Sequence, residues 1–420
     1  MFGAESLYSH ANWAEPSKMF SILATLRRED PVHFCESKTH PDLWHITKHA
    51  DLLEVEKLQD KFLANPRMLL ATREGEAQVQ QMTGGSRNLV ETLICTDQPD
   101  HRKLRTLTQA WFMPRNLGRL QTEIERSATL AIDQFIEHNG ECDFARDVAL
   151  EFPLRVIMTV LGVPQKDLPL MVRFTQELFS AEDPDARRAD LPEGADATQL
   201  QIATLMEYAK YFQALTEARK TEPGQDIASI IANETIDGAP LTEAQRLGYY
   251  TVIATAGHDT TSYSLDEAIR QLALNPELLA RLKSAPEEMA PRIAEEAIRV
   301  AAPVRHFIRT ASEDYSLRGK TIKKGQSVIL WFPSGSRDEA LFDNAEAFDP
   351  DRANVRAHTS FGHAAHVCLG MNLARTEIAT FLRLLVQRID SISLTGEPAY
   401  AHSNFIGGIK RLPVRATLSA

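Results

Sequence analysis

Hydrophobic residues recur at intervals of three and four along most of the chain, a spacing typical of amphipathic helices packed on a core. The pattern predicts that the chain is mainly helical. Predicted helices lie at 50–58 (ADLLEVEKL), 99–111, 118–138, 150–162, 166–180, 198–221, 277–283, 288–300 and 369–389.

One helical stretch is much longer than the others. Thr242 is followed three residues later by Gln245, the pattern of a capping box at a helix N-terminus. Asn275–Pro276 supplies a stop at the other end. The residues between them predict one uninterrupted helix of about 33 residues, roughly 50 Å long at 1.5 Å per residue. A helix of that length can cross a whole domain.

Three regions depart from the helical pattern. Alternating residues bounded by turn formers predict a short hairpin at 31–47, strands within 304–332 and strand-like segments in the last 30 residues. Residues 65–95, with Gly-Gly-Ser at 84–86, are expected to form an irregular functional loop. The polar segment 181–199 is either a solvated linker or a mobile lid. With no repeat and no domain boundary, we expect a single mainly α domain with small β-sheets over residues 1–420.

Composition narrows the class of protein. A net charge of −11 argues against a nucleic-acid binder, which needs a basic surface. No apolar run approaches the roughly 18 residues that span a bilayer, and the N-terminus lacks a signal-peptide pattern, so we expect no membrane association. Cys35, Cys95, Cys142 and Cys368 form no paired motif, which favours a reducing cytoplasm over a disulfide or zinc framework.

Cys368 lies in an unusual local sequence, FGHAAHVCLG at 361–370. A free cysteine is most often a small buried hydrophobe, and that remains one explanation. The alternative is an iron-binding thiolate, which needs a rigid turn, amide donors and positive potential around the sulfur. Glycines at 362 and 370 permit close approach of a flat cofactor, and a helix beginning near Leu369 would direct its free N–H groups at the sulfur. Phe361 can pack on the sulfur side, and His366 can donate to a carboxylate of the cofactor.

A second motif, AGHDTTS at 256–262, lies inside the long predicted helix. Gly257 costs up to about 1 kcal/mol there, so it is explained either by close packing or by close approach of a cofactor. Thr260 either bonds back to the preceding turn or acts with Asp259 in a proton relay.

A third motif, EEAIR at 295–299, places Glu296 and Arg299 on one helix face. Alone it is an ordinary surface pair.

Together these motifs, in this order, resemble the cytochrome P450 family from about residue 95 to the C-terminus. The loop resembles the family's haem-binding Phe-Gly-x-Gly-x-His-x-Cys-x-Gly pattern, with Ala364 in place of the second glycine. The resemblance implies haem b with Cys368 as the proximal ligand, an acid–alcohol pair at Asp259 and Thr260, and a fold-locking network of Glu296, Arg299 and Arg352. If position 364 needs a positive φ, alanine costs on the order of 1 kcal/mol there.

The resemblance also assigns partners to the haem. His101 and Arg105 in HRKLR, Arg309 in IRTA, and His366 would hold the two propionates. Ala256 and Gly257 would lie against the haem, and small Ala256 would leave room for the reacting carbon. The implied fold is a triangular helical domain with a long central helix over the haem.

The implied activity is monooxygenation of an unactivated C–H bond, using O2 and two electrons. Soluble bacterial members of the family take these electrons from a [2Fe–2S] ferredoxin and an NAD(P)H-dependent reductase. Arg102, Lys103, His363 and Arg375 would then form a basic docking face, or else are scattered surface charge. A monomer is the family expectation.

The family's substrate-pocket positions are mostly apolar in this chain, which predicts a lipophilic small molecule. They are Leu93, Ile94, Leu178, Phe179, Ile253, Ala256, Val304, Phe307, Phe405 and Ile406. Some of them are alternatively plain core residues. The segments TDQPDHRKLR, TAGHDTTS, APVRHFIRTA and NFIGGIKRLPVRAT resemble the bacterial branch that includes alpha-terpineol hydroxylase. That branch suggests a monoterpenoid or an alkyl-substituted aromatic.

Other functions stay open on the sequence. The substrate could instead be a polycyclic aromatic or a steroid-like compound. A peroxide-using peroxygenase or isomerase-like relative, and a non-catalytic haem sensor, are the alternatives to an O2-dependent enzyme. Asp259–Thr260 argues against the last two classes, because neither needs a proton relay.

Overall fold

The computed structural model describes residues 3–179, 183–186 and 197–419, and within them the chain is mainly helical. The helices are α1 (Pro16–Glu29), α2 (His49–Lys57), α3 (Arg73–Thr83), α4 (Asp100–Gln109), α5 (Pro114–Leu117), α6 (Gln121–Glu137), α7 (Glu151–Leu161), α8 (Leu168–Phe179), α9 (Ala197–Thr221), α10 (Ile227–Asn233), α11 (Glu243–Ala256), α12 (Asp259–Leu274), α13 (Pro276–Ser284), α14 (Pro286–Ala301), α15 (Phe332–Gly335) and α16 (Met371–Leu385). Within the described ranges, no helix is both long and apolar enough to cross a membrane.

The strands are short and gather in small sheets. They are β1 (Val32–Cys35), β2 (Leu43–Ile46), β3 (Phe62–Leu63), β4 (Glu141–Asp143), β5 (Thr235–Ile236), β6 (Ala239–Pro240), β7 (His306–Ala311), β8 (Tyr315–Leu317), β9 (Lys320–Ile322), β10 (Ser327–Trp331), β11 (Ile389–Leu394), β12 (Ala399–Tyr400), β13 (Ile409–Arg411) and β14 (Pro413–Leu418). The largest sheet has the order β1-β2-β10-β7-β3. The predicted hairpin at 31–47 is confirmed as β1 and β2, which pair antiparallel. Strand β2 also pairs parallel with β10, which is buried along its whole length.

The main hydrophobic core lies among the long helices. It takes buried side chains from α6, α7, α11, α12, α14 and α16. Helix α14 packs on both α12 and α16. This arrangement places the segment that follows α11 and the loop that precedes α16 on one shared framework.

The expected irregular loop at 65–95 is wrong in part, because it contains helix α3. Thr72 caps this helix by accepting a hydrogen bond from the Gly75 N–H at 3.0 Å. Gly84 ends it in the left-handed conformation, with φ 72°. Glu76 is the buried residue of α3. Because α3 buries no apolar face, the sequence shows no helical spacing of hydrophobic residues there. The ends of the helix are determined by its capping residues instead.

The single long helix expected at 241–276 is also wrong. The capping box at Thr242 is present, but the helix ends at Ala256 and a second begins at Asp259. His258 lies outside helical angles, with φ −96° and ψ −83°. The Thr260 hydroxyl donates to the Ala256 carbonyl at 2.7 Å, which occupies the acceptor that a continuous helix offers to the Thr260 N–H.

The segment 181–199, predicted as a linker or a lid, lies largely outside the described residues. The structure describes only 183–186 and 197–199 of it.

Candidate functional site

The loop before α16 presents Cys368. Gly362 and Ala364 both have positive φ, 66° and 55°, and the Cys368 N–H donates to the Phe361 carbonyl at 2.9 Å, which closes the loop. Cys368 is the exposed member of the four cysteines, whereas Cys35 and Cys95 are buried. An exposed thiol on a closed loop does not fit the explanation of a small packed hydrophobe.

The surroundings of the sulfur combine burial with several groups that stabilise a thiolate. Although its surface is exposed, the protein encloses the sulfur at longer range, and this burial raises the pKa of the Cys368 thiol. The backbone N–H groups of Gly370 and Met371, at the start of α16, and the guanidinium groups of Arg105 and Arg375 act in the opposite direction. Amide donors at the start of α16 and positive charge from Arg105 on α4 and Arg375 on α16 thus act on the sulfur.

Four basic side chains from three elements lie together beside this loop. The rings of His101 and His366 are 4.2 Å apart between centroids, and Arg105 Nη2 donates to the Val367 carbonyl at 2.7 Å. Burial, and after it the charges of Arg105 and Arg309, lower the pKa of His101 to about 4. Burial, and after it the charges of Arg309, His101 and Arg105, likewise lower the pKa of His366 to about 2. The two arginine charges thus oppose protonation of both histidines.

A cluster of this kind is suited to an anion. His101 is 1% exposed, and its Nε2 has no hydrogen-bond partner among the described residues. Two acids act on Arg309: the Glu56 carboxylate lies 4.0 Å away, and Asp97 accepts hydrogen bonds from the backbone N–H groups of Ala64 and Asn65. Burial raises the pKa of Glu56 to about 8 against the effect of Arg309, so Glu56 supplies little negative charge. The residues present therefore fit the two carboxylates of a haem next to a thiolate ligand.

The acid–alcohol motif lies at the break between α11 and α12. A Cβ on Gly257 would lie 2.5 Å from Ile157 Cδ1 on α7, so close packing explains this glycine. Asp259 is 2% exposed and accepts a hydrogen bond from Gln176 Nε2 at 3.2 Å. Burial raises the pKa of Asp259, against the effects of His258 and Gln176. Thr260 bonds back to the preceding turn, while neighbouring Ala256 is exposed in an otherwise buried stretch.

The EEAIR motif is not a surface pair. Arg299 and Glu296 are fully buried and share two hydrogen bonds of 2.7 Å. Arg352 Nε adds a third contact, 3.2 Å from Glu296 Oε1. Arg299 also donates to the carbonyls of Ser336, Ala345 and Ala347. The network ties α14 to the segment that leads into the Cys368 loop.

Sequence reasoning missed the residue beside this pair, Glu295. Arg375 donates to its carboxylate at 2.6 and 2.7 Å, and His358 Nε2 lies 3.0 Å away. The Ser360 N–H donates to His358 Nδ1, so neutral His358 carries its proton on Nε2 and donates it to Glu295. Glu295 thereby holds Arg375, whose guanidinium lies 4.8 Å from the Phe361 ring centroid.

The predicted pocket residues fall into groups. Val304 and Ile406 form an antiparallel bridge, and the rings of Phe307 and Phe405 lie 5.6 Å apart. Leu93 and Ile253 are buried in the main core, Leu178 packs against it, and Ile94 is half-buried. Phe179 ends α8, and its side chain lies outside the described residues.

Two members of the predicted docking face are neutralised locally. Lys103 lies 2.6 Å from the Asp237 carboxylate, and Arg375 is bound by Glu295. Neither contact could be predicted from the sequence, because each joins distant segments.

Comparison with known proteins places this site in a family. The family model for cytochrome P450 matches residues 70–399. Cytochrome P450-terp from Pseudomonas sp is 38% identical over 408 residues, covering 96% of this chain and 95% of the relative. Linalool 8-monooxygenase from Pseudomonas putida is 30% identical over 400 residues, covering 94% of each. The crystal structure of CYP108D1 from Novosphingobium aromaticivorans has a TM-score of 0.91 at 37% identity and covers 99% of this chain and 98% of that one. The chain belongs to the cytochrome P450 family of monooxygenases, which bind haem b through a cysteine thiolate.

Proposed function

We propose that this monooxygenase hydroxylates a small lipophilic molecule, a monoterpenoid or an alkyl-substituted aromatic. The observation that carries the proposal is the exposed Cys368 beside a cluster of four basic side chains, in a chain whose pocket positions are apolar. Relatives named P450-terp and linalool 8-monooxygenase support the terpenoid class, because linalool is a monoterpenoid.

The haem would be held from two sides. Cys368 would ligate the iron, while His101, Arg105, Arg309 and His366 would bind the carboxylates. Phe361 would pack on the sulfur side, with Ala256 and Gly257 on the opposite face. When bound, the haem supplies oxygen activation at a thiolate-ligated iron. Glu296, Arg299 and Arg352 would keep the loop in place without taking part in the chemistry.

The pocket residues would orient the substrate and exclude water. Val304, Phe307, Phe405 and Ile406 supply one apolar wall, and Leu93, Ile94 and Ile253 supply another. Leu178, near the end of α8, would complete it. Exposed Ala256 offers a small surface where the reacting carbon can lie.

Asp259 and Thr260 would move protons into the pocket. A buried carboxyl with a raised pKa can hold a proton and release it, and the Thr260 oxygen keeps a lone pair that can accept one. When the Thr260 hydroxyl is removed, electrons should still be consumed, but they should form peroxide instead of hydroxylated product.

Electrons would come from a [2Fe–2S] ferredoxin and an NAD(P)H-dependent reductase. Arg102 and His363 remain candidates for the docking face, whereas Lys103 and Arg375 contribute less because each is paired. We further propose that residues 1–420 act as one domain, as a monomer and in the cytoplasm. The four cysteines are free, as a reducing compartment requires.

The substrate class is tested by optical titration of the ferric protein. Monoterpenoids, alkylbenzenes, fused-ring aromatics and a steroid would be added in turn, and the shift of the Soret band to shorter wavelength would be recorded. We expect the largest shift with p-cymene- or terpineol-like compounds. A shift with fused rings or steroids alone would overturn the substrate assignment and leave the family chemistry in place.

The reaction type is tested with Thr260→Ala. We expect NAD(P)H oxidation to continue while product per NAD(P)H falls about tenfold or more and peroxide rises. Thr251→Ala is the matched control, because Thr251 makes the same bond to the preceding turn, with Leu247. If the ratio of product to NAD(P)H consumed is unchanged in Thr260→Ala, Thr260 is not part of a proton relay. Turnover with peroxide alone would indicate a peroxygenase, and tight binding without product under any electron supply would indicate a sensor.

A further inference from the structure

His258 occupies the break between α11 and α12 and is completely buried. Its Nε2 lies 2.6 Å from the Leu150 carbonyl oxygen. A carbonyl only accepts hydrogen bonds, so Nε2 must carry a proton and donate it. In the neutral ring, Nδ1 is then an unprotonated acceptor.

The second ring nitrogen faces the acid of the predicted relay. Nδ1 makes no regular hydrogen bond among the described residues, and it lies 3.3 Å from Asp259 Oδ1. A neutral ring next to an ionised carboxylate would place two acceptors against each other in a buried site, which is unfavourable. One added proton removes the conflict, whether it lies on the carboxyl group or on the ring.

The other groups around Asp259 do not supply a charge that would change this conclusion. Helix α8 contributes the neutral amide of Gln176, which donates to the same Oδ1. Within α12, the phenol of Tyr263 interacts with Asp259, and burial keeps the pKa of Tyr263 well above its ordinary value, so this group is neutral. Among the described ion pairs of Asp259, the cationic partner is His258.

We propose that His258 and Asp259 hold one proton between them and act as a single proton store beside Thr260, with His258 as a positioning residue. A proton that leaves the pair toward the pocket leaves one negative charge behind. The pair then takes up one proton from solvent, and no electron moves. This inference rests on the proposed function only for the statement that the proton moves from the pair toward the pocket.

The first test does not depend on turnover. Infrared difference spectra of the ferric, haem-loaded chain are recorded against pH. Loss of bands in Asp259→Asn identifies the carboxyl group, and loss in His258→Gln identifies the ring. We expect the carboxylic acid and imidazolium signals to sum to one proton around pH 7, with gain and loss in two macroscopic steps. A neutral ring together with an ionised carboxylate in the wild-type protein would overturn the proposal, and the two variants serve only to assign the bands.

The variant adds a directional test. Gln at position 258 can still donate to the Leu150 carbonyl but cannot take a second proton. Because His258 lowers the pKa of Asp259, the carboxylic acid band should persist to higher pH in His258→Gln. An exposed histidine, His138, provides the control His138→Gln, which should leave the Asp259 band unchanged.

The kinetic test uses non-additivity. Product formation should fall about tenfold or more in His258→Gln, with a larger solvent isotope effect, and about as far in Asp259→Asn. The double variant should be no slower than Asp259→Asn, because residues that act as a unit are not additive. If the fold-losses of the two single variants multiply in the double variant, the two residues do not share one proton and the proposal is overturned. Absence of product in the wild type would count against the proposed function instead, and the infrared result would still decide this inference.

Discussion

A methyl group added to Gly248 tests how the pocket loop is held. Gly248 is a buried residue of α11, packed against the backbone that leads to Leu93. A Cβ there would overlap the Glu91 carbonyl oxygen and would lie 3.2 Å from the Glu91 carbonyl carbon and 3.3 Å from Thr92 Cα. Ordinary carbon contacts are about 3.5–4.0 Å, and the obstacle is backbone, so the loop itself must move.

The cost of Gly248→Ala follows from two opposing effects. Overpacking costs about 1–3 kcal/mol, while alanine is favoured over glycine inside a helix by about 1 kcal/mol. The net expectation is a destabilisation of about 1 kcal/mol. For a chain of 420 residues this corresponds to a drop of roughly 1 °C in Tm. The displaced loop should also weaken lipophile binding, seen as a higher Kd in the optical titration.

Gly118→Ala is the matched control. Gly118 is exposed, has a helical φ of −55°, and a Cβ there would meet nothing within 4 Å. The change should stabilise the protein by about 0.4–1 kcal/mol through the unfolded chain. Calorimetry of the haem-loaded proteins should therefore give Gly118→Ala a higher Tm than wild type and Gly248→Ala a lower one. If Gly248→Ala melts at or above the control, the packing argument is refuted.

Two further predictions concern the haem loop and its support. Ala364 has a φ of 55°, so Ala364→Gly should stabilise the folded protein by about 0.5–1 kcal/mol, whereas Ala365→Gly should destabilise it by a similar amount; equal melting temperatures would contradict the strain. Burial would raise the pKa of Glu295, but His358 and Arg375 outweigh it and lower that pKa to about 2. A carboxyl whose pKa falls on folding stabilises above its unfolded value, so Glu295→Gln should lose roughly 3 kcal/mol at pH 7. The difference from wild type in free energy of unfolding should shrink as pH falls from about 4.5 toward 2, and a pH-independent difference would contradict it.

The parts of the site that could be predicted from the sequence are local in the chain. The Cys368 loop occupies ten consecutive residues, and the Thr242 capping box spans four. The residues that determine the local backbone geometry are therefore close together in the sequence. Even the consequence of Ala364 for the backbone follows from one position, because the turn requires a left-handed residue there.

The parts that could not be predicted depend on contacts between distant segments. The spacing in EEAIR predicts the pair of Glu296 and Arg299, which the structure contains, but it does not show that Glu295 binds Arg375, 80 positions later. The close packing that Gly257 permits depends on Ile157 of another helix, 100 positions earlier. The proton-sharing geometry of His258 depends on the Leu150 carbonyl, 108 positions earlier.

The parallel pairing of β2 with β10 has a consequence for folding during synthesis. Trp44 of the first hairpin bonds to Gln326, 282 positions later. A ribosome that adds about 5–20 residues per second needs roughly 15–60 s to cover that distance. Throughout this interval β2 has an open edge that can pair with another nascent chain. Dense polysomes should therefore favour misassembly at β2, and slower initiation of translation should improve the yield of folded protein.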